Sequence, residues 1–325
     1  MTTTIAPAAG PADLAEAGDR PATAIRTQGL TKRYGPRAAV DQLTIKVPTG
    51  VVAGFDGLNG AGKTTTIRML LGLITPSDGS AEVLGQPISH PAAYLHQVGA
   101  MIEGPAFYPT LSGRKNLEAL ATLGGHPRAR IGQLLELVGL AERAGDRYGS
   151  YSLGMKQRLG IAAALLPDPA LLVLDEPANG LDPAGIIEVR SLLRDLADDG
   201  TTVFVSSHQL SEVEQISDWL VMIDHGRLLY DGPIGQILDR QQAELVVATE
   251  QPGDLGTVAR LAAEAGHYST PANGHLLRIQ APASYAATLN RQAMEHDVTL
   301  VELHHEQPSL EETFLSMTTT TEAQS

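Results

Sequence analysis

Between the apolar run VVAGF and the stretch TTTIRMLLGL lies GLNGAGKT, Gly57 to Thr64, which fits the spacing G-x-x-x-x-G-K-[ST]. The pattern requires a strand before it and a helix after it. Its glycines let backbone N–H groups turn inward around an anion. The helix that follows aims the positive end of its dipole at the same anion. In this reading Gly57, Leu58, Asn59, Gly60, Ala61, Gly62, Lys63, Thr64 and Thr65 surround the phosphates of a nucleotide. Lys63 supplies a mobile cation, and the Thr64 hydroxyl is a ligand for Mg2+. A glycine-rich turn with an accidental lysine is the competing reading, and the strand and helix on either side count against it.

The surrounding sequence has the matching rhythm. From Ile25 to about Asp239, short apolar runs (VVAGF, LLVLD, TTVFVSS, WLVMID) alternate with longer amphipathic segments. The runs predict buried strands of a mostly parallel sheet, hence an α/β fold. PAGIIEVRSLLRDLADDG places Ile186, Val189, Leu193 and Leu196 on one helical face and stops at Gly200. The run LLVLDEP presents Asp175 at the C-terminal end of a strand, where open α/β sheets bind ligands. Asp175 is a candidate metal ligand, and Glu176 a candidate to polarise a water that attacks the γ-phosphate. Two adjacent acids can also simply begin a loop.

Outside this region the pattern changes. Residues 1–24, rich in Ala, Pro, Thr and Gly, read as a disordered lead, and 318–325 as a similar tail. Residues 240–317 carry the runs AELVVATE, HLLRIQ and VTLVELHH, with helical stretches around Leu255–Ala265 and Ser284–Glu295. A β-α-β-β-α-β order is expected, a small ferredoxin-like α+β domain ending in a short helix, PSLEETFLSM. His304 and His305, adjacent on a strand, point to opposite faces and make a poor metal pair. A dimerisation or regulatory role is the expectation for this part.

A net charge of −14 argues against a general nucleic-acid binder. The 325 residues contain no cysteine, which excludes disulfides and thiol chemistry. No apolar run is long enough to span a bilayer, and the first residues lack the basic start and apolar core of a secretory signal. A cytoplasmic location is expected.

The remaining motifs carry a resemblance. YSLGMKQRLGIAAALL, upstream of LLVLDEP, resembles the signature segment of ATP-binding cassette (ABC) ATPases. Ser152 and Gly154 match the family form L-S-G-G-Q, whereas Tyr151, Leu153 and Met155 depart from it. SSH at Ser206–His208 is similar to the family's switch histidine, NGLDP with Asp182 to its D-loop, and KRYG with Tyr34 to the aromatic residue stacked on adenine. Glu103 stands where most members present a glutamine that helps hold Mg2+. The resemblance therefore implies an ABC-type P-loop NTPase over residues 25–239, with a helical subdomain at about 104–165. ATP and Mg2+ are the implied cofactors, and Glu176 and His208 the implied catalytic pair.

IEGPAFYPTLS together with YSLGMKQRLGIA resembles cassettes of the bacitracin and lantibiotic kind, and PSLEETFLSM is similar to the end of daunorubicin-type export cassettes. The implied function is the ATP-hydrolysing subunit of an exporter, paired head-to-tail as a homodimer. It would be peripheral on the inner membrane face through a separate permease. Phe107 and Tyr108 are candidate anchors for that permease, or else pack inside the helical subdomain. A soluble cassette ATPase without a transport role, or a nucleotide-binding regulator with weakened hydrolysis, is the alternative.

The loop has two departures from the family form. Leu58 replaces a proline and removes a φ lock. Asp56 replaces a strand-end apolar residue, and a carboxylate about 5 Å from a phosphate opposes binding by about 1–4 kcal/mol. Ser206 or Ser207 is the expected hydrogen-bond partner for Asp56.

Overall fold

The apolar runs become the inner strands of a six-stranded sheet in the order Arg227–Pro233, Trp219–Asp224, Val52–Asp56, Thr202–Ser207, Leu171–Asp175, Val98–Met101. Every pairing is parallel except that of the Arg227–Pro233 edge. The computed structural model describes residues 22–102, 104, 106–239, 244–272, 275–306 and 310.

Both faces of this sheet are covered, and that is why the runs are apolar without alternation. Phe55, Val173 and Phe204 point to one side, beneath an antiparallel sheet that includes Thr23–Tyr34, Arg37–Leu43 and Asp78–Val83. The Phe55 and Phe204 rings stack there at 5.0 Å. Val52, Leu172, Leu174, Val203 and Val205 point to the other side, against the helices Leu153–Ala164 and Pro183–Asp198. On the latter helix Val189, Leu193 and Leu196 are buried as the periodicity predicts, and Ile186 is half-buried. The helix Lys63–Leu70 starts directly after the phosphate loop and buries Ile67, Met69 and Leu70.

Gly113–Gly124, Arg130–Leu137 and Leu153–Ala164 pack together around Leu117, Leu135, Tyr148 and Tyr151. The helices Gly113–Gly124, Leu153–Ala164 and Pro183–Asp198 begin on a side-chain cap: Ser112 accepts the Lys115 N–H, Ser152 that of Met155, and Asp182 that of Gly185.

The expected lead of residues 1–24 is too long by two. The strand Thr23–Tyr34 begins inside it, because Ala24 and Ile25 are fully buried and the Ala24 carbonyl accepts the Leu84 N–H. Residues 1–21 lie outside the described residues.

Residues 244–306 run β-α-β-β-α-β, with strand order Tyr268–Ala272, Leu276–Gln280, Glu244–Thr249, Leu300–Glu306. The helices Leu255–Glu264 and Ala286–Glu295 pack on Leu245 and Val247. His304 and His305 lie opposite Val246 and Leu245, one on each face. The boundary near residue 240, the helix expected over 308–317 and the tail fall outside the described residues. Leu310 is the exception, buried with Val213, Leu220 and Tyr230. Among the described residues no helix is long and apolar enough to cross a membrane.

Candidate nucleotide site

Three adjacent strands end at one edge of the parallel sheet: Val52–Asp56, Thr202–Ser207 and Leu171–Asp175. Their C-terminal ends bring together the glycine loop, the acids Asp175 and Glu176, and His208. Lys63 is buried, donates to the Gly57 carbonyl at 2.5 Å and sits 3.8 Å from Glu176 Oε1. The other Glu176 oxygen, Oε2, accepts from Asn179 Nδ2 at 3.2 Å and lies 3.2 Å from His208 Nδ1. That last contact is close enough for charge attraction, but the ring nitrogen is out of line for a hydrogen bond. Glu176 adopts a left-handed φ of 49°, a strained conformation for a residue with a side chain.

The loop closes tightly on the antiparallel sheet. A side chain at Gly62 would place its Cβ 2.4 Å from the Ala39 carbonyl, at a φ of 109°. Thr64 Oγ1 donates to Asp175 Oδ2 at 2.8 Å. A hydroxyl and a carboxylate meeting at the phosphate edge are the hard oxygen donors that Mg2+ accepts from protein, with the rest of its shell from phosphate and water, so the residues fit the ion. Glu103, expected to join them, falls outside the described residues.

An open hollow beside the loop is lined by Leu58, Asn59, Gly60, Gly62, Lys63, Thr64, Thr65 and Glu176. Gly57 is buried below it, and Ala61 closes the loop by donating to the Leu58 carbonyl at 2.9 Å. Tyr34 stands at the rim with its ring under Lys32, 5.3 Å from the ammonium, and Arg37 joins it there. Arg37 was not singled out from the sequence. Its signal is positional: it lies three residues past Tyr34, across a hairpin that returns the chain to the same rim. Asn179 is likewise an addition and holds Glu176, whereas Ser206, expected from the sequence only as a partner of Asp56, holds both Asp175 and the Glu176 N–H.

Ser152, Gly154 and Asp182 line no part of this hollow. They stand together elsewhere: Leu153 lies against Gly180, and Leu181 faces Gly154 at ordinary contact distance. Ser152 and Asp182 are exposed. Of the two aromatic residues offered as permease anchors or as packing inside the helical subdomain, only Phe107 packs there. Phe107 packs edge-on against Tyr148 at 5.0 Å, whereas Tyr108 is exposed.

The expected hydrogen bond from a serine to Asp56 is absent. Ser206 is in register with Asp175 on one side and Phe55 on the other, so its hydroxyl faces Asp175 and donates to Oδ1 at 2.5 Å. Ser207 is the true register partner of Asp56. Its hydroxyl is engaged instead by the Gln209 backbone and by Glu212 Oε2. Asp56 is 2% exposed and takes only the Gly57 N–H, with no partner for Oδ2 among the described residues. Burial pushes its carboxyl up to about 7 despite the attraction of Lys63.

Comparison with known proteins agrees with this geometry. Residues 40–179 match the family model described as ABC transporter. The chain is 40% identical over 298 residues to the bacitracin transport ATP-binding protein BcrA of Bacillus licheniformis, covering 91% of this chain and 97% of that one. It is 39% identical over 223 residues to the daunorubicin/doxorubicin resistance ATP-binding protein DrrA of Streptomyces peucetius, covering 67% and 68%. A solved ATP-binding subunit of an ABC transporter superposes with a TM-score of 0.60 at 30% identity, over 67% of this chain and 93% of that one.

Proposed function

The chain belongs to the ABC transporter family, and from that premise we propose that it is the ATP-hydrolysing subunit of an exporter, driving a drug or antibiotic through a separate membrane permease. One observation carries the reading. Lys63, Glu176 and His208 converge within 4 Å contacts beside the Thr64–Asp175 pair, at the sheet edge where a triphosphate fits. The bacitracin transport and daunorubicin/doxorubicin resistance roles of the two named relatives support the cargo class.

In this reading the loop N–H groups and the helix dipole hold the phosphates. Phosphate oxygens draw the Lys63 ammonium away from Gly57 and Glu176. The Glu176 carboxylate, still oriented by Asn179, then accepts a hydrogen bond from the attacking water and takes its proton. His208 turns from Glu176 to the γ-phosphate. Thr64 and Asp175 would hold Mg2+, which when bound neutralises charge on the phosphates.

Ser152, exposed at a helix start beside Asp182, cannot serve the hollow of its own chain. It would instead meet the γ-phosphate of a second copy, which makes a head-to-tail homodimer the working unit. Tyr108 would meet the permease, and the chain would sit on the inner membrane face through that contact.

The test uses the chain purified with its permease in vesicles. Glu176→Gln is expected to keep ATP binding and lose both hydrolysis and export. Hydrolysis that survives in Glu176→Gln would remove the glutamate from the mechanism. A wild-type chain that hydrolyses ATP but never associates with a membrane protein would remove the transport role.

A further inference from the structure

We propose that Asp56 makes nucleotide binding proton-linked: its carboxylate takes one proton from solvent when a magnesium nucleoside triphosphate draws Lys63 off the loop, and returns it when the phosphates leave. The proposal rests on reading this loop as a triphosphate site. It goes further in assigning Asp56 a regulatory role that the hydrolytic reaction itself does not need.

The geometry isolates this carboxyl from water and, apart from the Gly57 N–H, from neutral partners. Asp56 ends the strand Val52–Asp56 between Ser207 and Met222 of the flanking strands. Met222 brings no charge, and the Ser207 hydroxyl is spent on Gln209 and on the buried Glu212 of the helix Leu210–Ile216. Among the described residues three charged or titratable groups act on Asp56: Lys63 from the helix after the loop, Glu176 from the end of the Leu171–Asp175 strand, and His208 from the end of the Thr202–Ser207 strand. Lys63 and His208 favour the ionised form, and Glu176 opposes it. Desolvation, helped by Glu176, outweighs Lys63, the Gly57 N–H and His208 and pushes the carboxyl up to about 7.

A bound triphosphate changes the balance in one direction. Lys63 turns its charge to the phosphates, and their net negative charge, which one magnesium ion does not cancel, enters the hollow beside the loop. Both changes favour the protonated carboxyl. Binding should therefore tighten as pH falls through neutrality, by at most about tenfold per pH unit for a single linked proton.

Calorimetry tests this with the full chain, Mg-ATPγS and two buffers of different ionisation enthalpy at pH 7.5. Wild type is expected to absorb about 0.5–0.75 proton more than either Asp56→Asn or Asp56→Leu. The asparagine variant keeps the shape, and the leucine variant suits the apolar strand, so one of them reports even if the other folds poorly. His208→Gln is expected to retain the uptake. Uptake that persists in both Asp56 variants, or that vanishes in His208→Gln, overturns the proposal. An absence of binding in the wild-type chain overturns the triphosphate site itself, which separates the two failures.

Discussion

Ser206 Oγ donates to Asp175 Oδ1 at 2.5 Å and accepts the Glu176 N–H at 3.0 Å, so one hydroxyl orients both acids of the neighbouring strand. The hydroxyl is fully buried, and water cannot replace it. Ser206→Ala leaves a buried carboxylate oxygen and a backbone N–H without partners. A loss of about 1–3 kcal/mol is expected, read as a lower urea midpoint at unchanged slope. Magnesium-dependent ATP affinity should fall with it, because Asp175 would then be held only by Thr64.

Asp56 predicts a pH dependence of stability. Its folded carboxyl is raised from 3.8 to about 7 by burial, so the unfolded chain loses its proton first as pH rises. The stability present below pH 3.8 is therefore lost between about 4 and 7, and the loss is complete above the folded value. A shift of about three units corresponds to about 4 kcal/mol as an upper bound. Urea titrations of wild type and Asp56→Leu from pH 5 to 8 should diverge, with the variant more stable at the alkaline end. Parallel curves would mean that the carboxyl is better solvated than its surroundings indicate.

Two glycines of the loop predict different costs. Gly60→Ala meets nothing within 4 Å and bears only the strain of its φ of 86°, about 1 kcal/mol. Gly62→Ala adds a 2.4 Å approach to the Ala39 carbonyl and should cost at least about 2 kcal/mol more. It should also open the loop enough to abolish ATP binding. Melting temperature and equilibrium binding of both variants measure the difference.

Phe107 and Tyr108 separate stability from assembly. Phe107→Ala removes an edge-to-face partner of Tyr148 and is expected to destabilise the chain by about 2 kcal/mol. Tyr108→Ala, 65% exposed, should leave the melting temperature unchanged and weaken co-purification with the permease. A reversed result would place the permease contact on Phe107.

Much of the site was legible because its constraints are local. Strand, glycine loop, lysine and helix are consecutive, and Asp175 and Glu176 stand at the end of an apolar run that had to be a strand, whereas His208 was singled out only by the family resemblance. The α/β class and the candidate phosphate edge follow from those spacings alone. Arg37 and Asn179 were not legible, since each reaches the site through a turn whose direction no local pattern encodes.

Which serine meets which acid was decided by strand register. Pairing of Thr202–Ser207 with both of its neighbours puts Ser206 on the Asp175 face and Ser207 on the Asp56 face, and a slip of one residue would have exchanged them. The partners are separated by 31 residues in one case and by 151 in the other, so only the assembled sheet sets that parity. The opening sequence identified Asp56 as a misplaced charge. The tertiary structure made it a buried, half-satisfied one, because desolvation depends on what covers a side chain and not on its neighbours along the chain.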